Sequence, residues 1–468
     1  MQSLKNSWQC FFSFIACIIF MTGCGQQTPE STAAPQTSIP QTASEQRKGL
    51  TSLQNADGFV YGATTEEGFY HVQESDEADG SLNIYYTDYS SLQTVILCSQ
   101  PNCNHHSESC TGWVPYTGNG VSLMAVGEQL VLVYPGGSGT DKDGTPMFPR
   151  IQTADPDGNN RRTVVSFEAN QEFFGPYLTD GKSLYARQDT YTDQGCDSAL
   201  VAVNLETGEA STIFSLNSDE GDAIWGAADE FVFVRHMEID ENGAISGTQL
   251  DRVNINTQEK RSVYHWDSLG QRVMLFGSTL ICYTASTNEL SRVDCLSGER
   301  TLLAQNALPQ NTETGNVNLI WYDDGNLLLS YSLEGENTPH FVVFEEKTGR
   351  FSECGLHYHA NDRELPVCVV GEIPAQDSYL VLCDEVTVDS VSNLYSGART
   401  APVYAQIKKE EYWAGNKFMC AVLRTVNIIQ KTVLLILIIL VFRFFQQCIL
   451  HFLCGHLKRQ RPWPALLR

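Results

Sequence analysis

An all-β fold assembled from repeated four-stranded units is the architecture this sequence predicts, and three observations carry it. From Leu50 to Asn416 no amphipathic pattern reaches the length of a helix. In its place stand short runs of Val, Ile, Leu, Phe and Tyr, each closed by Gly, Asp or Asn. Phe59-Val60-Tyr61, Leu130-Val131-Leu132-Val133, Phe231-Val232-Phe233-Val234, Leu327-Leu328-Leu329 and Leu380-Val381-Leu382 are examples. The closing turns also repeat. Asn204-Leu205-Glu206-Thr207-Gly208-Glu209 matches Asp294-Cys295-Leu296-Ser297-Gly298-Glu299 and Glu345-Glu346-Lys347-Thr348-Gly349-Arg350, with Asn254 to Glu259 as a weaker copy. From Asp155 onward these turns are spaced by 49, 50, 40 and 51 residues.

One sheet of two hairpins cannot cover both of its faces, so units of this length pack radially about a channel. The reading is a β-propeller over residues 49–416 with seven four-stranded blades. Six or eight blades, or an array of β-sandwiches, are the alternatives. A second signal, a Gly or Asp turn leading into a strand, precedes most of the repeated turns. Asp180-Gly181, Phe276-Gly277 and Asp323-Asp324-Gly325 are the clearest cases.

Ahead of this body lies an address. Lys5 supplies a positive start, Phe11 to Met21 an apolar core, and Met21-Thr22-Gly23-Cys24 resembles a bacterial lipobox. The small residues admit the processing peptidase, and the Cys24 thiol is the nucleophile that takes the lipid. Residues 1–23 are thus expected to be a lipoprotein signal peptide, with an uncleaved signal anchor as the alternative. Residues 24–48 are Gln, Thr, Ser, Pro and Ala with Ile39 as the one large aliphatic, too little apolar surface to offset ordering entropy. They read as a disordered tether carrying the lipidated Cys24.

The turn Asp155-Pro156-Asp157-Gly158-Asn159-Asn160-Arg161-Arg162 resembles the Tol-type propeller repeat. Lipobox, polar tether and a cysteine-rich first blade together resemble the β-propeller-like lipoproteins of Gram-positive anaerobes. That resemblance implies architecture and localisation and carries no activity with it.

Charge is segregated along the chain. The whole carries −25; residues 1–48 contribute +1, residues 49–416 contribute −34, and residues 417–468 contribute +8. An acidic body excludes a phosphate-backbone groove, so no nucleic-acid partner is expected.

The densest local chemistry is Cys98-Ser99-Gln100-Pro101-Asn102-Cys103-Asn104-His105-His106-Ser107-Glu108-Ser109-Cys110. Cys98, Cys103, His105 and Cys110 supply the thiolate and imidazole donors that Zn²⁺ prefers, although C-x4-C-x-H-x4-C is not a standard knuckle spacing. Outside the cytoplasm a disulfide competes for the same thiols. A structural zinc, a disulfide-stabilised loop and unlinked cysteines all stay open. Cys282 with Cys295, and Cys368 with Cys383, admit cross-strand bridges but read better as small buried hydrophobes. His357-Tyr358-His359, with Cys354 nearby, reads as ordinary strand before it reads as a metal site. Asp141-Lys142-Asp143-Gly144 and Asp155-Pro156-Asp157-Gly158 read as tight turns, because Gln152 and Ser166 stand where a calcium loop needs Glu. No G-x-S-x-G, H-E-x-x-H, S-x-x-K or phosphate-binding glycine loop occurs.

After Asn416 the composition changes abruptly. Thr432 to Phe442 is charge-free and aliphatic, but Lys431 and Arg443 bracket it below the length of a membrane span. A shifted reading frame, a membrane span and an interfacial helix are the three readings of residues 417–468. The functional expectation is a lipid-anchored propeller on the extracytoplasmic face of the cell membrane. It would act as a binding or scaffold module for a protein, peptide or glycan. A surface glycan hydrolase or lyase is the alternative, since paired carboxylates cannot be located from sequence in such a fold.

Overall fold

The computed structural model describes residues 49–425, except 55, 58–61, 76–78, 138–143, 145–146, 218–220, 241–242, 268, 390–397, 417–420 and 423. Phe59 to Tyr61, Asp141 to Asp143, the signal peptide, Cys24, the tether and residues beyond 425 therefore lie outside the described residues.

The body is a β-propeller of seven blades, each an antiparallel sheet of four strands in sequence order, here lettered A to D from the channel outward. The blades span residues 63–114, 122–166, 171–216, 223–266, 271–305, 318–353 and 368–422. Blade 3 shows the pattern in full: Gln171–Thr179, Ser183–Thr192, Gly195–Asn204 and Ala210–Leu216. The A strands form a closed ring. Ala63–Thr64 of blade 1 lies against Ser122–Val126 of blade 2 on one side and Cys368–Ile373 of blade 7 on the other. Blades 2 and 3 join where Gly136 bridges Glu172, and Gly226 of blade 4 packs on Leu275 of blade 5. Phe276 of blade 5 meets Trp321 of blade 6 edge to face at 6.1 Å, and Trp321 meets Tyr379 of blade 7 at 6.2 Å. Phe69 and Tyr404, 4.8 Å apart, seal blade 1 to blade 7.

The repeated turns are the C–D connections. In three of them a side-chain acceptor fastens its own backbone: Asn204 Oδ1 takes the N–H groups of Glu206 and Thr207, both at 2.9 Å. Asn254 does the same for Asn256 and Thr257, and Asp294 for Leu296 and Ser297. The chain then passes through the left-handed region at Gly208, Gln258, Gly298 or Gly349, with φ between 59° and 81°. Four residues before the turn, strand C is bulged against strand D at Ile151, Leu200, Leu250 and Leu290. One bulge at one place in four blades sets a common twist.

These turns also hold neighbouring blades together. Gln258 Nε2 of blade 4 donates to the Ile213 carbonyl of blade 3 at 2.8 Å, and Arg162 of blade 2 donates to the Leu205 carbonyl of blade 3 at 2.9 Å. Since strand direction alternates, the A–B and C–D turns share one face of the propeller. The B–C loops and the connections between blades share the other.

A segment ahead of blade 1 enters the channel from the turn face. Leu50–Ser52 pairs antiparallel with both Gln171–Thr179 and Ala223–Asp229, joining blades 3 and 4 by their inner edges. Ala56–Asp57 then pairs with Ser122–Val126 of blade 2. Leu50 is buried, and the Ser52 hydroxyl accepts the Ala227 N–H. At the other end, Ala421–Val422 is strand D of blade 7, and Arg424–Thr425 lies parallel to Gln93–Ile96, the outer strand of blade 1. The chain therefore ties blade 7 to blade 1 beyond residue 416. Among the described residues no helix is long and apolar enough to cross a membrane.

Candidate functional site

Blade 1 departs from the pattern at its outer strand, and the cysteine-rich segment is the departure. Gln93–Ile96 pairs with Leu82–Asp88, the chain leaves the sheet, and Trp113–Val114 returns to the same partner strand. Residues 97–112 form the excursion. Its turns are local: the Gln100 carbonyl accepts the Cys103 N–H, Ser107 accepts Cys110, and the Gln100 side chain donates to the Ser109 carbonyl at 2.7 Å. Asn102 and His105 take left-handed backbone, with φ of 59° and 60°. Asn accepts that conformation at low cost, which explains the Pro-Asn pair between the first two cysteines.

The excursion gathers all four sequence-predicted donors. The ligand atoms of Cys98, Cys103, His105 and Cys110 lie within 4.8 Å of one another, with Cys110 buried and the other three half-buried. His105 Nδ1 stands 3.3 Å from Cys110 Sγ. The thiols do not titrate alike. Burial penalises ionisation at Cys98, yet hydrogen bonds from the Gln100 N–H, Cys110, Cys103 and Thr111 prevail and bring its pKa down. Burial pushes the Cys110 thiol up to about 12. Burial, with His106 adding to it, holds His105 below the ordinary imidazole value.

Blade 2 locks the excursion in place. Arg161, from the Tol-like turn, donates Nη1 to the Trp113 carbonyl at 2.7 Å and Nη2 to the Thr111 carbonyl. Thr111 in turn donates to the Leu97 carbonyl at 2.7 Å, and Gly158 rests on Thr111 and Leu97.

The other predicted positions fall out plainly. Cys282, Cys295, Cys368 and Cys383 are buried core residues. Burial raises both Cys282 and Cys368 to about 12. His357 and His359 share one carboxylate, Glu364, at 2.7 and 3.4 Å. Cys354 instead packs among Leu356, Tyr358 and Tyr412. Asp155 to Gly158 is a turn, with the Asp157 carboxylate taking the Asn159 N–H.

One cluster escaped the sequence reading. On the loop face of blades 3 and 4, Arg187 grips Asp189 with two bonds of 2.7 and 2.9 Å, and Ser198 adds a third at 2.7 Å. Glu172 stands opposite Asp189 across the A–B strand pair and accepts the Tyr191 hydroxyl at 3.2 Å. Burial raises the Glu172 pKa. Beside them the His236 ring meets the Asp222 carboxylate at 2.7 Å. These residues are scattered from 172 to 236, and only Arg187 and Asp189 are near enough in the chain to hint at a pair.

No family model matches the chain, and no curated protein matches it. Solved structures do. An oligogalacturonate lyase in complex with manganese is 13% identical, with 79% of this chain and 96% of that one covered and a TM-score of 0.43. An oligogalacturonate lyase from Vibrio parahaemolyticus is 14% identical, covered over 78% of this chain and 100% of that one, with a TM-score of 0.39. The acylaminoacyl peptidase of Pyrococcus horikoshii is 10% identical, covered over 76% and 51%, with a TM-score of 0.41. The propeller itself is established by the chain's own strand pairing.

Proposed function

We propose that this protein is a lipid-anchored, extracytoplasmic β-propeller that binds or scaffolds a protein, peptide or glycan. The observation that carries the reading is the order of parts: a lipobox at Met21-Thr22-Gly23-Cys24, a polar tether, and a propeller whose Leu50–Ser52 strand enters at the turn face. A flexible tether of this composition spans about 5–6 Å times the square root of its residue number. A body of −34 disfavours an acidic polymer, so neutral glycans and basic or neutral peptides fit best.

Expression in a lipoprotein-processing bacterium tests the anchor. Wild type should partition into the detergent phase with the membranes and Cys24→Ala should not; equal partitioning of the two would refute lipidation. A second reading, a surface glycan hydrolase or lyase, is favoured by Glu172, a carboxyl whose burial raises its pKa on the loop face opposite Asp189. If that reading holds, hydrolysis of neutral oligosaccharides, or β-elimination of uronate-containing ones for a lyase, should fall by about 10²-fold or more in Glu172→Gln. Undiminished cleavage in that variant would remove Glu172 from the reaction.

A further inference from the structure

We propose that Cys98, Cys103, His105 and Cys110 hold a structural zinc ion that closes the blade 1 excursion and docks it on blade 2. The claim is independent of lipidation and of ligand binding. Four donors converge within 4.8 Å from a single short loop. Tetrahedral zinc with Zn–S bonds of about 2.3 Å and Zn–N bonds of about 2.0–2.1 Å needs donor separations somewhat below 4 Å, so only a small contraction is required. Three sulfurs and one imidazole select a soft, tetrahedral ion and reject calcium, magnesium and manganese, which favour oxygen.

The surroundings are those of a metal knuckle. Backbone N–H groups at Gln100 and Gly112 follow Cys98 and Cys110 by two residues, the spacing from which a backbone donor can reach a metal-bound thiolate. Such bonds orient ligands and stabilise thiolates. Three thiolates and Zn²⁺ sum to a net charge of −1, and each thiol gives up its proton as its metal–sulfur bond forms. The balancing cation is present: the Arg161 guanidinium reaches the excursion and grips the Trp113 and Thr111 carbonyls. A disulfide would use two of the three sulfurs, leave the third unpaired, and give no role to the imidazole in contact with Cys110. Four protein donors complete the tetrahedron, so no position remains for a reactive water and the role is structural.

The test uses the full-length protein purified without chelator. Elemental analysis should find about one zinc per chain, and exchange for cobalt should give the intense visible bands of tetrahedral thiolate coordination. Chelation should lower the melting temperature, and added zinc should restore it. Cys98→Ser and Cys110→Ser should lose the metal, whereas Cys103→His, which keeps four soft donors, should retain it. If the serine variants fail to fold, the chelation and cobalt experiments on wild type still decide. Metal-free wild type that takes up neither ion, or a mass two hydrogens lower that maps to a bridge among residues 98, 103 and 110, would overturn the proposal.

Discussion

At the scale of single residues, the repeated turns do two separable jobs. Gly208 and Gly298 occupy the same left-handed position, with φ of 76° and 81°. A side chain at 298 meets open space, but one at 208 collides with the Val164 carbonyl of blade 2. Gly298→Ala should therefore lose about 1 kcal/mol, the backbone cost alone, and Gly208→Ala about 2–3 kcal/mol because blade 2 must also move. Urea unfolding compares them, and equal losses would mean that the turn does not bear on its neighbour. His71 is the second residue with a definite sign. It is fully buried between the Phe69 and Tyr85 rings, and burial lowers its pKa from 6.5 to about 3. The unfolded chain binds this proton below pH 6.5 and the folded chain does not, so stability is lost as pH falls from 6.5 toward 3. The slope is about 1.4 kcal/mol per pH unit. Unfolding free energies at pH 7, 6 and 5 should fall in wild type and fall less steeply by that amount in His71→Phe. Parallel curves would show that His71 takes up its proton in the folded state.

At the scale of elements, the blade was legible because its signals are local. Asn204, Asn254 and Asp294 bond to backbone two and three residues on, so their turns could be read directly from the chain. The inner strand Leu50–Ser52 was not legible in that way. Its partners stand at 178–179 and 228–229, and nothing in Leu-Thr-Ser announces them. Leu50 is 1% exposed and packs with Leu178, Ile224 and Val232 at the junction of blades 3 and 4. Leu50→Ala should cost about 2–4 kcal/mol, and a chain lacking residues 49–57 should melt well below wild type. An unchanged melting temperature in both would show that the inserted strand contributes nothing to blade cohesion. The metal candidate is a mixed case. Its four donors were named from spacing, but their convergence depends on the left-handed Asn102 and His105 and on Arg161 from the next blade.

At the scale of the whole molecule, closure of the ring decides cooperativity. Phe69 is fully buried, edge-on to Tyr404 across the seam between the first and last blades. Phe69→Ala should cost about 3–5 kcal/mol while unfolding stays a single transition, since each blade is stable only against its neighbours and the loss of one destabilises the next in turn. Two separated transitions in calorimetry would instead mean that the blades unfold independently. By itself the sequence determined the all-β class, the blade repeat with its closing turns and the acidic body, and it named the four sulfur and nitrogen atoms as candidates. All of these depend on composition or on residues a few positions apart. Only the tertiary structure singled out seven blades from the six, seven or eight that the repeat admitted, and it alone decided the channel strand, the tie from blade 7 to blade 1 and the Glu172–Asp189–Arg187 cluster. Those features join residues tens to hundreds of positions apart, and such pairings leave no local mark because the energy that selects them appears only when separate strands pack.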